Sequence, residues 1–327
     1  MEDIFLKLKK EFGKKLKRNE ILAPYTTFKI GGPAKYFYEA NSEQEIISAI
    51  EISKKLNIFY YILGGGSNIL FSDSGFDGLV IRIKNLSSEI KVSDLQIGKE
   101  YKIIRAEAGV RLSELVKYSS DNGLSGLEWA AGIPGTTGGA IRGNAGAYGG
   151  EMSNIVQRTV ILQDDKTIIL QNKDLYFSYR GSILKSRKLI ILSAELKLKV
   201  CDKNLIKQKI EEIVKKRAQK SFFKHPNVGS IFKNPIVKNN KILEMFTKDT
   251  GLSSINGRIP AGYLIESAGI KGKTIGGAAV SGYNANFILN IKNATADNVI
   301  MLISLIKQKV RDNYGIQLEE EVELVGF

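Results

Sequence analysis

The chain has 327 residues, of which 43% are hydrophobic and 25% charged, with one cysteine and one histidine. This length predicts roughly two domains with a substantial core, and the composition excludes a disordered, collagen-like or coiled-coil protein. One cysteine excludes an intrachain disulfide. A zinc site or a Ser–His–Asp triad would lack most of its usual residues, so we predict no metal site. Proton chemistry is expected from serine, tyrosine, lysine, arginine or carboxylates.

The net charge of +14 reflects either lysines scattered over a solvated surface or an anionic partner. The lysines are scattered over predicted helices, which favours nucleotide phosphates over nucleic acid. The chain has neither an apolar run of about 18 residues nor the apolar core of a signal peptide. We therefore expect a cytoplasmic protein without membrane insertion. The oligomeric state stays unknown, and a monomer is favoured.

The predicted elements alternate between helix and strand. Apolar residues from Phe5 to Leu16 predict a first helix packed on its own domain, with a membrane-surface helix as the alternative. Ser42 is predicted to cap a helix ending near Leu56, with Glu45 closing a capping box. Further helices are predicted at 112–122, 204–220, 242–249, 260–268 and 295–313. Strands are predicted at 36–39, 58–63, 79–83, 102–107, 156–162, 167–170, 189–200 and 321–325.

Two glycine-rich segments are candidates for binding a ligand. The first, GGGSN at 64–68, follows a strand and is either a phosphate-binding loop or an ordinary turn. It is no dinucleotide fingerprint, because Ile69 stands where the third glycine is required. The second segment lies within residues 123–150, which hold ten of the 32 glycines and predict a long ordered loop. Its glycines let backbone approach a planar ligand and its diphosphate closely.

The second segment, GLEWAAGIPGTTGGAIRGNAGAYGGEM, resembles the flavin-binding core of the UDP-N-acetylenolpyruvoylglucosamine reductase family, the UDP-N-acetylmuramate dehydrogenases. Other motifs of that family follow in order over nearly the whole chain after about residue 20. They are YTTFKIGGPA (25–34), ILGGGSNILFSDSGFDGLVI (62–81), YRGS (179–182), GSIFKNP (229–235), AGYLIESAGIKGKTIGGAAVS (261–281) and GIQLEEEVELVG (315–326).

The resemblance implies an α/β and α+β fold, with a two-part FAD-binding module of the vanillyl-alcohol-oxidase type and a C-terminal substrate-binding domain. FAD-binding subdomains are expected at 1–83 and 84–217, the substrate-binding domain at 218–314, and a C-terminal return strand carrying Glu321 at 315–327. The 50 positions between Arg180 and Ser230 resemble the shorter subclass, which lacks an inserted substrate-covering loop.

The implied reaction is reduction of UDP-N-acetylglucosamine enolpyruvate to UDP-N-acetylmuramate for peptidoglycan, with NADPH as hydride donor and non-covalent FAD as relay. By the resemblance, FAD is bound by Gly64, Gly65, Gly66, Ser67, Asn68, Ile133, Pro134, Gly135, Thr137, Gly138, Gly139 and Ala140.

The resemblance also implies three catalytic residues. Ser230 is similar to the proton donor and Arg180 to the residue that binds the substrate carboxylate, a task that suits its planar charged fork. Glu321 either positions Arg180 or hydrogen-bonds the carboxylate when protonated. Substrate binding is implied for Tyr179, Lys220, Asn234 and Tyr263.

The chain departs from many relatives at Ser221-Phe222 and at Asn284, and we assign no role to His225. Two other functions stay open at this point. One is an FAD oxidoreductase of the same fold with a different substrate, and the other is a basic nucleic-acid-binding protein. FAD in the purified protein would exclude the second.

The first prediction concerns how the flavin is held. Covalent attachment in this fold class generally uses histidine, cysteine or tyrosine, and both His225 and Cys201 lie outside the predicted flavin loops. We expect acid precipitation to release the flavin into the supernatant, where its absorbance is measured. Flavin that stays in the pellet through a denaturing wash would contradict this expectation.

Overall fold

The computed structural model describes residues 3–84, 91–97, 99–187, 189–218 and 224–327. Its helices are α1 (Ile4–Phe12), α2 (Glu43–Lys55), α3 (Leu112–Asp121), α4 (Thr137–Arg142), α5 (Ile183–Ser186), α6 (Lys203–Ala218), α7 (Asn240–Thr250), α8 (Ala261–Ser267) and α9 (Ala296–Tyr314). Its strands are β1 (Leu16–Ile21), β2 (Pro33–Ala40), β3 (Tyr60–Leu63), β4 (Ile69–Phe71), β5 (Phe76–Ile83), β6 (Lys91–Ile97), β7 (Tyr101–Glu107), β8 (Leu124–Ser125), β9 (Gly146–Ala147), β10 (Gly150–Glu151), β11 (Val156–Gln163), β12 (Lys166–Gln171), β13 (Ile190–Val200), β14 (Thr274–Ile275), β15 (Ala278–Val280), β16 (Ile288–Asn290) and β17 (Glu323–Val325).

The chain forms two units, each assembled from separate stretches of sequence. The first unit contains residues 1–20, 34–65 and 77–219, and the second contains residues 21–33, 66–76 and 220–327. The chain therefore passes between the units several times before residue 80. The division predicted at residues 83, 217 and 314 stays a prediction.

The described part of the first unit contains two larger sheets and the two-stranded sheet β9-β10. One has the strand order β1-β2-β5-β3, and helices α1 and α2 contribute Leu8, Phe12, Ile46 and Ile50 to its apolar core. The other has the order β12-β11-β13-β7-β6 with antiparallel pairing throughout. Its core includes α3 and the buried indole of Trp129. This second sheet supports the glycine-rich segment, because residues just after β7 accept hydrogen bonds from it.

The second unit is built around α7, α8 and α9. Their apolar faces pack with Phe28, Ile30 and Leu70, which come from the two early stretches of the chain. Strand β4 pairs in parallel with β17 at the other end of the sequence. The carboxylate of Asp73 accepts the N–H groups of Ala296 and Asp297, at 2.9 and 3.1 Å, and so caps α9.

The predicted first helix is too long. Helix α1 ends at Phe12, and Gly13 follows with a positive φ of 58°. Leu16, assigned to that helix by its spacing, lies in β1 instead. Leu16 is buried, as a core-facing residue would be in either a helix or a strand. The spacing of apolar residues therefore does not distinguish a helix from a strand at this position.

Elsewhere the helices lie close to the predicted positions. The Ser42 hydroxyl accepts from Glu45 N at 3.2 Å, as predicted, but the Glu45 carboxylate accepts from Asn41 N and not from the cap residue itself. The segment 123–150, predicted as loop, also contains α4 and the short strands β8, β9 and β10. Within the described ranges, no helix has the length and apolar character that crossing a membrane requires.

Candidate active site

The two glycine-rich segments are in backbone contact in the first unit. A Cβ atom added to Gly65 would lie 2.6 Å from the Cα of Gly135, and one added to Gly64 would lie 2.7 Å from the Thr136 hydroxyl oxygen. Both distances are far below van der Waals contact, so a side chain at Gly65 would require the Gly135 backbone to move, and one at Gly64 would displace the Thr136 hydroxyl. The sequence of each segment is therefore fixed in part by the other.

The predicted flavin residues of the second segment differ in exposure. Thr137 is fully buried, and both its N–H and its hydroxyl donate to the Val110 carbonyl, at 2.8 and 3.1 Å. Gly138 N donates to the Ala108 carbonyl at 2.9 Å. These two residues anchor the loop on the sheet. Ala140 is also buried, Ile133 and Gly135 are half-buried, and Pro134 and Gly139 are exposed.

This arrangement fits a flat cofactor. Gly65, Gly132 and Gly139 are exposed and carry no side chain, so a ligand could approach the backbone closely at each of them. The half-buried Ile133 offers apolar contact beside them. The backbone of this loop has little conformational freedom. Gly64 and Gly65 pack against it at 135–136, and the hydrogen bonds of Thr137 and Gly138 hold it to the sheet.

The rest of the GGGSN segment belongs to the second unit. Gly66 has a φ of 62°, and a Cβ there would lie 2.2 Å from the Tyr25 carbonyl oxygen. Ser67 is half-buried. The Asn68 carboxamide donates to the Glu321 carbonyl at 3.0 Å, and the Asn68 carbonyl accepts from Glu323 N at 3.0 Å. Asn68, predicted to bind flavin, thus holds the segment that carries Glu321.

Arg180 lies in a tight turn of the first unit. Ser178 and Gly181 exchange two backbone hydrogen bonds, at 3.0 and 3.1 Å, across Tyr179 and Arg180. Arg180 has a φ of 57°, a conformation that residues with a side chain rarely adopt and that is often found at functional sites. Its Nη1 donates to the Gly146 carbonyl at 3.0 Å, and its Cζ lies 5.6 Å from the centre of the Tyr179 ring.

Asn144, which sequence reasoning did not assign, supports this turn. It is buried, and its Nδ2 donates to the Ser178 carbonyl at 3.0 Å. Its Oδ1 accepts from Ser153 N at 3.0 Å, so both ends of the carboxamide are engaged. The only sequence signal was an asparagine among glycines, a residue type that tolerates the positive φ of 43° found here.

Ser230 and Glu321 lie on adjacent segments of the second unit. Ser230 forms an isolated β-bridge with Phe287, and the Glu321 N–H donates to the carbonyl of Ile231 at 2.7 Å. Glu321 therefore contacts the residue that directly follows Ser230. Within the described residues, the Ser230 hydroxyl has no hydrogen-bond partner, which leaves its proton available to a ligand.

Thr27 is a second residue that sequence reasoning missed. Its hydroxyl donates to the Asn227 carbonyl at 2.7 Å, and its N–H donates to the Gly66 carbonyl at 2.9 Å. The Asn227 side chain in turn accepts from Gly229 N at 3.0 Å. Thr27 therefore joins the early YTTF motif to the loop that precedes Ser230.

The predicted substrate residues of the second unit have structural partners of their own. Asn234 Oδ1 accepts from Ala261 N at 3.0 Å, at the start of α8. Tyr263, one turn further, donates to the Asp249 carboxylate at 2.8 Å. Burial, together with that hydrogen bond, raises the pKa of Tyr263 to about 12. Lys220 and Ser221-Phe222 lie outside the described residues.

Comparisons with known proteins match both parts of the chain. Residues 34–171 match an FAD binding domain model, and residues 220–325 match the model for the UDP-N-acetylenolpyruvoylglucosamine reductase C-terminal domain. Two curated reductases of that name, from Anoxybacillus flavithermus and Caldanaerobacter subterraneus, are each 39% identical over 95% of this chain and 94% of their own. The chain belongs to the UDP-N-acetylenolpyruvoylglucosamine reductase family.

A solved structure supports the same assignment. The crystal structure of the reductase from Thermus caldophilus covers 95% of this chain and 98% of its own, at 30% identity and a TM-score of 0.74. The predicted fold class, an FAD-binding module followed by a C-terminal domain of this family, is confirmed. FAD is the cofactor of the first part.

The second prediction tests Asn144 as a positioning residue for Arg180. Asn144→Gly removes both carboxamide hydrogen bonds and keeps the positive φ at little cost. We expect the KM for the enolpyruvyl substrate to rise about tenfold, the effect of roughly one lost hydrogen bond. The rate of flavin reduction by NADPH, measured by stopped flow, should stay near that of the unmodified protein.

Asn57→Gly is the matched control, because Asn57 also has a positive φ, of 52°, but is exposed in the same unit. We expect it to change neither value. If Asn144→Gly slows both half-reactions equally, or changes neither, Asn144 does not act through Arg180.

Proposed function

We propose that the chain catalyses the reaction of its family, the NADPH-dependent reduction of UDP-N-acetylglucosamine enolpyruvate to UDP-N-acetylmuramate for peptidoglycan synthesis. The observation that carries this proposal is the family relationship over 95% of the chain, which includes both the FAD-binding part and the C-terminal part. We keep the division into FAD-binding subdomains at 1–83 and 84–217, a substrate-binding domain at 218–314 and the Glu321 segment as part of the proposal.

The exposed glycines Gly65, Gly132 and Gly139, together called the glycine cradle, would hold the cofactor. Gly65, Pro134 and Gly139 are exposed on it, and Ile133 would contact an apolar ring. Bound FAD supplies the means of passing hydride from NADPH to a second ligand. Thr137, Gly138 and Ala140 would contribute by fixing the loop on the sheet, since they are buried.

Arg180 is the proposed cation for the substrate carboxylate. When hydride adds to the terminal methylene carbon of the enolpyruvyl group, negative charge develops on the adjacent carbon and its carboxylate. A guanidinium beside that carboxylate stabilises the charge as it forms. The turn fixes the Arg180 backbone before substrate binds, which lowers the ordering cost of this contact.

Ser230 is the proposed proton donor to the adjacent carbon. Hydride and proton together convert the methylene and its neighbouring carbon to a methyl group and a CH group, while NADPH becomes NADP⁺. The unengaged Ser230 hydroxyl supports this role. Glu321 would either orient Arg180 or hydrogen-bond the substrate carboxylate when protonated.

Tyr179, Lys220, Asn234 and Tyr263 are the proposed substrate-binding residues. The phenol proton of Tyr263 is donated to Asp249, so a substrate oxygen that accepted it would have to displace that carboxylate. We further propose that the protein acts in the cytoplasm, as a monomer, without binding nucleic acid or inserting into a membrane. The scattering of its lysines supports the exclusion of nucleic acid.

The deciding experiment measures NADPH oxidation by the purified protein. We expect it to be stimulated by UDP-N-acetylglucosamine enolpyruvate and not by UDP-N-acetylglucosamine. Stimulation only by an unrelated acceptor would assign the chain to a different FAD oxidoreductase. A colourless protein without releasable flavin would contradict the cofactor as well.

The third prediction separates the two half-reactions with Ser230→Ala. Flavin reduction by NADPH requires no proton for the enolpyruvyl carbon and should be nearly unchanged. Flavin reoxidation by the substrate should slow by ~10²–10⁴-fold, the usual effect of losing a positioned general acid. Stopped-flow absorbance of the flavin band measures both steps.

Ser253→Ala is the control, since Ser253 is exposed in the same unit. It should leave both steps unchanged. Reoxidation of the Ser230 variant at the normal rate, or equal slowing of both steps, would show that Ser230 is not the proton donor.

A further inference from the structure

The segment that carries Ser230 lies between two other segments of the second unit. Ser230 pairs with Phe287 in an isolated antiparallel bridge. The next residue, Ile231, donates its N–H to the Asn286 carbonyl at 2.8 Å and accepts from Glu321 N at 2.7 Å. Asn286 and Glu321 are therefore bound to the two backbone groups of a single residue, which directly follows the proposed proton donor.

The carboxamide of Asn286 adds two further hydrogen bonds to this segment. Its Oδ1 accepts from Phe232 N at 2.9 Å, and its Nδ2 donates to the Phe232 carbonyl at 2.8 Å. The side chain thereby pairs with Phe232 as the backbone of an antiparallel strand would. Because both backbone groups of Phe232 are bound, the segment cannot rotate about its own axis or shift in register without breaking these bonds.

Burial makes these two hydrogen bonds costly to lose. Asn286 is 4% exposed, and Ile231 and Phe232 are each 1% exposed. An apolar side chain at position 286 would leave the N–H and the carbonyl of Phe232 unpaired and out of reach of water, which is destabilising. The backbone N–H of Asn286 donates to the Asn284 carboxamide oxygen at 3.0 Å, so residue 286 is itself held in place.

The Ser230 hydroxyl depends on this segment for its position. A serine side chain has one torsion angle between its backbone and its oxygen, so the backbone determines where the oxygen can lie. Gly229, on the other side, donates its N–H to the Asn227 side chain at 3.0 Å. The Ser230 backbone is therefore held before and after the residue. Displacing a reacting group by about 1 Å lowers the rate by roughly 10²-fold.

We propose that Asn286 is a positioning residue, which holds the Ser230 hydroxyl where it can protonate the substrate carbon. Its carboxamide is buried and bound to Phe232, so it acts through the protein backbone and not by contact with the substrate. Only the step that uses the Ser230 proton depends on it. The inference rests on the proposed function, in which Ser230 is the proton donor.

The test is Asn286→Ala, with both half-reactions of the purified holoprotein followed by stopped-flow absorbance of the flavin band. Flavin reduction by NADPH uses no proton from Ser230 and should be unchanged. Flavin reoxidation by saturating UDP-N-acetylglucosamine enolpyruvate should slow roughly ten- to a hundredfold. The substrate concentration that gives half the maximal rate should stay the same, because the lost contacts affect proton transfer and not binding.

A double variant separates this role from a general loss of structure. If Asn286 acts through Ser230, the combination of Ser230→Ala with Asn286→Ala should reoxidise no more slowly than Ser230→Ala alone. Two independent effects would multiply instead, and that result would overturn the proposal. Normal reoxidation in Asn286→Ala would overturn it as well.

Asn298→Ala is the matched control. The Asn298 side chain also binds two backbone groups of this unit, the N–H groups of Gly277 and Thr295, at 3.2 and 3.3 Å. Its loss should lower the Tm of the protein without changing either half-reaction. If reoxidation slows as much in Asn298→Ala as in Asn286→Ala, the effect comes from lower stability and the proposal is wrong.

Asn286→Asp is the second variant, and it decides if the alanine variant does not fold. An ionised carboxylate accepts from Phe232 N but cannot donate to the Phe232 carbonyl, whereas a protonated carboxyl does both. Burial raises the pKa of such a carboxyl. Reoxidation should therefore slow as the pH rises through that pKa, beyond any change in the unmodified protein. A pH profile identical to that of the unmodified protein would overturn the proposal.

These outcomes can be told apart from failure of the proposed function. If the enolpyruvyl substrate does not reoxidise the flavin of the unmodified protein, the proposed reaction is wrong. Normal reoxidation in Ser230→Ala would remove Ser230 as the proton donor and the role of Asn286 with it. Slow reoxidation in Ser230→Ala together with normal reoxidation in Asn286→Ala would leave the function in place and remove only the role of Asn286.

Discussion

The contact between Gly150 and the indole of Trp129 fixes the hairpin, residues 146–151, whose Gly146 carbonyl accepts a hydrogen bond from Arg180. Trp129 is itself held by a hydrogen bond from its ring nitrogen to the Gly126 carbonyl at 2.9 Å. Because Gly150 has no side chain, the hairpin backbone packs directly on this buried aromatic ring. Arg180 has a long, flexible side chain, and this hairpin gives its guanidinium a fixed hydrogen-bond acceptor.

In the second unit, hydrogen bonds between segments that are distant in sequence hold the proposed catalytic residues in place. Asn68 holds the Glu321 segment, and Thr27 holds the loop before Ser230. Asn68 uses both a main-chain and a side-chain group, so its segment is constrained in direction as well as in position, whereas Thr27 holds its loop through the hydroxyl. Neither residue has to touch a ligand to matter for the geometry of the proposed catalytic groups. The early motifs of the chain therefore support residues that lie more than 200 positions later.

The sequence predicted most of the helices because their caps and apolar spacing are local signals. It predicted the first helix wrongly because Leu16 suits a strand and a helix equally, and Gly13 was not weighed. Roles that depend on distant partners were beyond sequence reasoning. The Thr27 hydroxyl bonds a carbonyl 200 positions away, and Asn144 bonds one 34 positions away. The family motifs indicated where the flavin loop lies, but not that Thr137 and Gly138 anchor it from beneath.

The interleaved order of the two units has a consequence for how the chain is made. All residues of the first unit have been synthesised once the ribosome passes residue 219. Phe28, Ile30 and Leu70 of the second unit pack against a core that residues 220–327 supply later. About 140 residues separate residue 76 from residue 220, which corresponds to on the order of ten to thirty seconds of translation. During that interval the ribosome-bound chain carries two apolar segments without their native partners. These two segments therefore reach their native packing only after the last third of the chain has been synthesised.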